Sequence, residues 1–238
     1  MSRWESLLTV QEHDIRADQL AHRAETLPAR AELAAVTERI AAVDRDLAAV
    51  ESRRGELSRS QQRLEDEIAS LTERATQAEK QLYSGSVTAP RELQALQDDV
   101  ASIRRRIGQI EDDELEIMEL TEPVDAQRAE LTAERDRLDG DAMRITAALA
   151  ESEAEIETEL ASVRAQRAEA AAGVPADLWP EYDRLRAHLG GVAIARLAGS
   201  TCQGCHLALP AVEIDRIRKL ATDETVHCEE CGRLLVRD

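Results

Sequence analysis

From Leu33 onward, alternating steps of three and four residues land on Val36, Ile40, Val43, Leu47, Val50, Arg54, Leu57, Gln61, Leu64, Ile68, Leu71, Ala75, Ala78 and Leu82. Of these fifteen positions thirteen are apolar, while Glu, Asp and Arg fill the places between them. An apolar repeat of about 3.5 residues sustained over seven heptads specifies a left-handed coiled coil rather than an ordinary amphipathic helix. The same stepping from Leu93 through Leu96, Val100, Ile103, Ile107 and Ile110 runs unbroken to Val163, with a weaker stretch between Glu114 and Arg135. Two long helices are therefore expected, and little else before residue 172.

The segment Tyr83-Ser-Gly-Ser-Val-Thr-Ala-Pro90 separates the two runs. Gly85 can end a helix in the left-handed conformation, and Pro90 suits the first turn of a new one. If the chain reverses here, facing seam residues have numbers that add to about 175, so Ile68 meets Ile107 and Leu33 meets Ala142. The polar seam residues Gln61 and Arg54 then fall opposite Glu114 and Thr121, which favours one intramolecular hairpin, and so a monomer, with pairing of two arms as the alternative. Pro28 interrupts the first helix, and Trp4, Leu8, Ile15 and Leu20 before it follow a shifted register. Pro123 opposite the region of Gly55 predicts a bend in the hairpin near residues 55 and 123.

The expected fold class is thus mainly α: an antiparallel coiled-coil hairpin over residues 1–172, tipped at 83–90, followed by a small module over 173–238. Composition agrees, because the chain has two Trp, two Tyr and no Phe, and 33% of its residues are charged. Aromatic side chains are too few for a broad core, whereas solvated helices need only a narrow seam. In the module, Asp177–Leu189 and Ala211–Leu220 read as short helices, Val192–Leu197 as a strand and Val226–Val236 as a strand pair.

The net charge of −18 is concentrated before residue 173, since the last 66 residues hold ten acidic and eight basic side chains. Such a helical part repels nucleic acid and anionic membrane. The N-terminus lacks a basic region followed by an apolar core, and no stretch approaches eighteen apolar residues, so a cytoplasmic protein without membrane contact is expected.

The chemistry lies in the cysteines. Cys202-Gln-Gly-Cys205 and Cys228-Glu-Glu-Cys231 are the chain's four, in two pairs of identical spacing. A two-residue gap aims both thiolates of a pair at one metal, and two such knuckles make a closed tetrahedral zinc site. One structural zinc is the expected cofactor, with iron or a thiol redox pair as alternatives. Gly204 and Gly232 stand where knuckle backbones need freedom. His206 and His227 flank the cluster as neighbours of the ligands. A catalytic zinc needs an open coordination position, which four thiolates close. No glycine-rich phosphate loop, HExxH sequence or Ser/His/Asp set is recognisable, so an enzyme is not expected.

Contact residues for a partner are expected at the two ends. Tyr83, Ser84, Ser86 and Val87 sit on a turn that a rigid scaffold holds, and Arg216, Arg218, Lys219 and Arg233 lie in the metal-bearing module, with Arg237 close by. The middle of the arm presents repeating Glu, Asp and Arg, which contribute weakly as exposed ion pairs.

With the tip sequence Tyr83-Ser-Gly-Ser-Val-Thr-Ala-Pro-Arg-Glu-Leu-Gln-Ala-Leu-Gln97 and the ending Cys228-Glu-Glu-Cys-Gly-Arg-Leu-Leu235, the chain resembles a bacterial family of coiled-coil hairpins that carry a C-terminal four-cysteine zinc ribbon. The resemblance covers nearly the whole length. It implies a non-enzymatic adaptor in transcription or RNA metabolism, since characterised members bind an alternative sigma factor, and one also binds a flagellin message. A protein partner, such as the transcription machinery, is expected. The alternative is RNA or DNA binding through the ribbon, which its mixed charge makes electrostatically weak.

Overall fold

A computed structural model describes residues 2–221 and 224–237. Three helices dominate: α1 (Arg3–Glu25), α2 (Pro28–Tyr83) and α3 (Pro90–Ala171). The Ser2 hydroxyl caps α1 by accepting from the Glu5 N–H at 3.2 Å. Thr26 ends it, donating both its N–H and its hydroxyl to the His22 carbonyl. Pro28 and Pro90 open α2 and α3, where a missing N–H leaves no intrahelical bond unmade. Between α2 and α3, Gly85 takes φ +72°, the left-handed conformation that a side chain disfavours.

Contacts divide the chain into two units, Met1–Ala31 with Thr146–Asp238, and Glu32–Ile145. The second unit is the coil. Every expected seam position of α2 from Leu33 to Leu82 is buried or half-buried, as is every one of α3 from Leu93 to Ile145 except Arg128. Ion pairs link the two helices in antiparallel register: Arg39 to Glu134 at 3.1 Å, Arg135 to Asp44 at 2.7 Å, Arg54 to Asp125 at 2.9 Å and Arg106 to Glu67 at 3.1 Å.

The polar seam residues take hydrogen-bond partners other than the residues that the register sets opposite them. Gln61 donates to Glu65 of its own helix at 2.9 Å rather than reaching Glu114. Arg54 passes Thr121 for Asp125, a charged acceptor, and the Thr121 hydroxyl donates to the Ile117 carbonyl at 2.7 Å. α3 continues through Pro123 without a break. Beside Arg128 lies a groove lined by Glu51, Gly55 and Ser58.

In the other unit, α1 packs into the C-terminal module. Trp4, Leu7, Leu8 and Val10 share one buried cluster with Leu178, Tyr182, Leu185, Ile194, Leu234 and Val236. Further along α1, Leu20 packs with Ile156 and Val163 of α3. Fit is close: a Cβ on Gly173 would lie 2.5 Å from the Ser6 Oγ. The rest of the module is a 3-10 turn (Ala176–Leu178), α4 (Trp179–His188), α5 (Ala211–Lys219) and a three-stranded sheet in the order β2-β1-β3. β1 (Ile194–Ala198) turns through Gly199, at φ +62°, into antiparallel β2 (Thr201–Cys202) and pairs in parallel with β3 (Leu234–Arg237). The strand pair expected over Val226–Val236 is therefore half present. Its first arm contributes a single bridge, His227 to Leu234, because the second cysteine knuckle takes up the residues between.

Besides Ser6, the polar side chains of Gln11 and Asp14 of α1 are buried at this junction. Gln11 accepts from the N–H groups of Ala193 and Ile194 at 2.6 and 2.8 Å and donates to the Ile194 carbonyl at 2.8 Å. Asp14 accepts from Arg167 at 2.5 Å and from the Tyr182 hydroxyl at 2.7 Å. Burial pushes the Asp14 carboxyl up, but these hydrogen bonds, aided by the charges of Arg167 and Arg186, outweigh it and hold the group below the usual carboxylate range. A depressed folded-state pKa stabilises above the unfolded value of 3.8 and loses that contribution as pH falls through the folded value. Asp14→Asn is therefore expected to lower stability at neutral pH by about 2 kcal/mol. Urea unfolding of both proteins across acid pH should show the gap closing below the unfolded value. A gap that persists there would remove the charged form of Asp14 from the account.

Candidate metal centre

Cys202 closes β2, and Cys228 and Cys231 lie just before β3, so the sheet carries both cysteine pairs to one place. The two knuckles have the same hydrogen-bond pattern. In the first, the His206 N–H donates to the Cys202 carbonyl at 2.8 Å and the Cys202 N–H to the Leu207 carbonyl at 3.0 Å. In the second, Gly232 donates to Cys228 at 2.8 Å and Cys228 to Arg233 at 2.8 Å. The residues after the second cysteine of each pair are both left-handed, His206 at φ +59° and Gly232 at φ +72°. The expectation of backbone freedom holds for Gly232, but in the first knuckle the left-handed residue is His206. Gly204 is needed for space instead, since a Cβ there would approach Arg233 Cδ to 2.6 Å and Ala195 Cβ to 2.9 Å.

All four sulfurs lie within 4.8 Å of one another. Cys202 and Cys231 are 4.0 Å apart, and Cys205 and Cys228 3.8 Å. A tetrahedral zinc bonded to each sulfur at about 2.3 Å needs edges of about 3.8 Å, while a disulfide needs about 2.05 Å. The donors fit zinc and leave no position for water or substrate. Cys202 and Cys228 are buried and their partners half-buried, beneath a shell that includes Leu197, Leu209, Ile217 and Leu235. Burial pushes the metal-free Cys228 thiol up to about 12 and raises that of Cys202. Burial opposes ionisation of Cys231 too, but hydrogen bonds from the Arg233 backbone and side chain bring it down to about 7. The Gly204 N–H points at the Cys202 sulfur from 3.4 Å.

The neighbours play supporting parts. The His227 Nε2 lies 2.8 Å from Glu181 Oε1, tying the second knuckle to α4, and His206 is exposed; the metal-ligating group consists of the four cysteines. Arg233, expected as a contact residue, donates to the Val192 and Leu189 carbonyls at 3.0 and 3.3 Å. Arg216 is paired with Glu213 through a 2.7 Å bond, and Arg237 donates to the Ile217 and Leu220 carbonyls at the end of α5. Arg218 and Lys219 are exposed and have no such ties among the described residues. At the tip, Tyr83 is 83% exposed, Val87 is half-buried, and the Ser84 and Ser86 hydroxyls bond each other at 2.6 Å. Tip and ribbon residues lie in different units.

Removing the metal should unravel the knuckles but leave the aliphatic seam intact. One zinc per chain is expected by elemental analysis, and Cys228→Ser or a chelator should open cleavage sites beyond Gly173 while most helical circular dichroism persists. An unchanged protease pattern in the stripped protein would contradict this. His206 provides a finer test. His206→Gly relieves the left-handed residue and should slow zinc loss to a chelator, whereas the β-branched His206→Val should hasten it, at a cost of about 1–2 kcal/mol. Equal rates for both variants would show that φ at this position carries no strain.

The C4-type zinc ribbon family model matches residues 201–235, and the CT398-like coiled coil hairpin model matches residues 10–190. An uncharacterized protein of Mycobacterium tuberculosis is 33% identical over 232 residues, which cover 98% of this chain and 94% of the relative. Among solved structures, one from Mycobacterium smegmatis superposes with a TM-score of 0.86 at 26% identity, covering 99% of this chain and 97% of the other. CT398 from Chlamydia trachomatis gives a TM-score of 0.68 at 21% identity, covering 99% and 98%. With a hairpin and a four-cysteine site both matched, the chain belongs to the CT398-like coiled-coil hairpin family.

Proposed function

We propose that this protein is a non-enzymatic cytoplasmic adaptor that binds a protein partner, and that it acts in transcription or RNA metabolism as its family resemblance implies. The observation that carries the reading is the closed four-thiolate cluster. With every donor position of the metal occupied by sulfur, the zinc can hold backbone in place but cannot activate water or a substrate. Among the described residues no helix is long and apolar enough to cross a membrane. Nucleic-acid binding through the ribbon draws less support. Of its six basic side chains, Arg196, Arg216, Arg233 and Arg237 are committed to a carboxylate or to backbone carbonyls, which among the described residues leaves Arg218 and Lys219 for phosphates.

The exposed Tyr83 on the braced turn is the proposed contact at the tip, because an aromatic ring left in water by its own fold gains most from a partner's surface. The chain works as a monomer in this reading. A pull-down from native cytoplasm with the zinc-loaded protein tests it, using Tyr83→Ala with Val87→Ser at the tip and Arg218→Glu with Lys219→Glu on the ribbon. A protein should be retained after nuclease treatment, and the tip variant should bind it about tenfold more weakly. Retention that depends on nucleic acid and falls steeply with salt would favour the ribbon as an RNA or DNA site.

A further inference from the structure

The acidic charge of the coil is unevenly neutralised. Between Arg106 and Arg128, α3 holds no basic residue and eight acidic ones: Glu111, Asp112, Asp113, Glu114, Glu116, Glu119, Glu122 and Asp125. Asp125 pairs with Arg54. Among the described residues, none of the other seven has a basic partner within ion-pair distance; other unpaired carboxylates of the coil, such as Glu56 and Asp66, stand three residues from an arginine of their own helix, and these seven do not. Like charges three and four apart on a helix destabilise it, and here Asp113, Glu116, Glu119 and Glu122 follow one another at that spacing.

Large apolar side chains are exposed in the same stretch. Leu115 is 57% exposed, Met118 48% and Leu120 49%, and none of them is a seam residue, since the seam runs through Glu114, Ile117 and Thr121. Leu115 and Met118 are neighbours on the helix surface at i and i+3. Around them, by the same spacing, stand Glu111, Asp112, Glu119 and Glu122, all exposed. An apolar centre with a rim of uncompensated carboxylates is the complement of a helix that carries apolar residues at i, i+3, i+4 and i+7 and lysine or arginine on either side.

We propose that the α3 flank centred on Leu115 and Met118 is a docking surface for a basic amphipathic helix of a protein partner. Charge selects this occupant. Nucleic acid is repelled by the rim, and an equally acidic second copy of the flank is repelled as well. Leu115 and Met118 provide contact area, and the four rim carboxylates Glu111, Asp112, Glu119 and Glu122 provide attraction and orientation. The surface lies within the coil unit and is independent of the tip contact proposed above, so the middle of the arm is not the uniform solvated face that its composition suggests.

The test uses the full-length, zinc-loaded protein and a fluorescent helical peptide of leucine and lysine with its leucines at the spacing just given, beside an isomer of the same composition in scrambled order. Anisotropy should show the amphipathic peptide binding one per chain and the scrambled isomer binding far more weakly. Leu115→Ser with Met118→Ser, and separately Glu119→Gln with Glu122→Gln, should each weaken binding about tenfold. Glu155→Gln with Glu157→Gln, which removes the same charge elsewhere on α3, should not. If the serine pair loses helicity, the exposed glutamine pair still decides. Equal binding of the two peptides, or equal weakening by the control pair, would reduce the effect to general charge attraction and overturn the proposal. Self-association in sedimentation that the serine pair abolishes would overturn it too, by giving the flank to a second copy.

Discussion

Gln11 holds the start of β1 by three hydrogen bonds, two received and one given, from a helix that begins the chain to a strand that begins after residue 193. Much of the zinc-bearing unit follows from this junction. A three-stranded sheet of so few residues, with one strand only two residues long, has too little apolar surface to fold on its own. α1 supplies what it lacks: Trp4, Leu7, Leu8 and Val10 cover Ile194, Leu234 and Val236. Backbone N–H groups buried beneath a helix would be costly if left unpaired. Gln11 satisfies those of Ala193 and Ile194 at once, which fixes where α1 lies along the strand.

The zinc cluster sits on the other side of the same strands. Ala195, Leu197 and Leu235 belong to the shell around the cysteines, whereas Ile194, Leu234 and Val236 face α1. Alternation along β1 and β3 thus gives one face to a helix and one to a metal. Arg233 joins the two, since it packs over Gly204 in the first knuckle and donates to carbonyls at the end of α4 and ahead of β1. Its charge alone reads as a partner contact, and its guanidinium also serves as a structural tie to two partly buried carbonyls.

Periodicity made the coil readable because a 3.5-residue repeat leaves a mark at every turn, and Pro28, Gly85 and Pro90 mark its ends chemically. Paired cysteines were readable for a similar reason, as two equal spacings leave few alternatives to a metal. Most of what stayed hidden depends on contacts between residues far apart in the chain, more than 150 positions for Gln11 and Asp14. Nothing near Gln11 or Asp14 distinguishes them from the solvated glutamines and aspartates of α2, and no local pattern reveals that β1 pairs in parallel with β3. The left-handed φ of His206 was hidden as well, because glycine is the usual sign of that conformation. Only comparison of the two knuckles, with His206 and Gly232 in equivalent places, exposes it.

Charge on the coil shows how far composition can mislead when position is ignored. Carboxylates spread along a helix contribute little individually, and those that meet an arginine across the seam are nearly neutral in effect. Seven that meet none, crowded onto three turns of α3, raise the local repulsion and are held together by the burial of Ile110 below them and Val124 above them. The helix is stable there because of the seam and in spite of its surface. That separation of roles leaves the surface residues free of any structural duty, so substitutions at Leu115, Met118, Glu119 or Glu122 can change what the flank attracts without changing the coil that carries it.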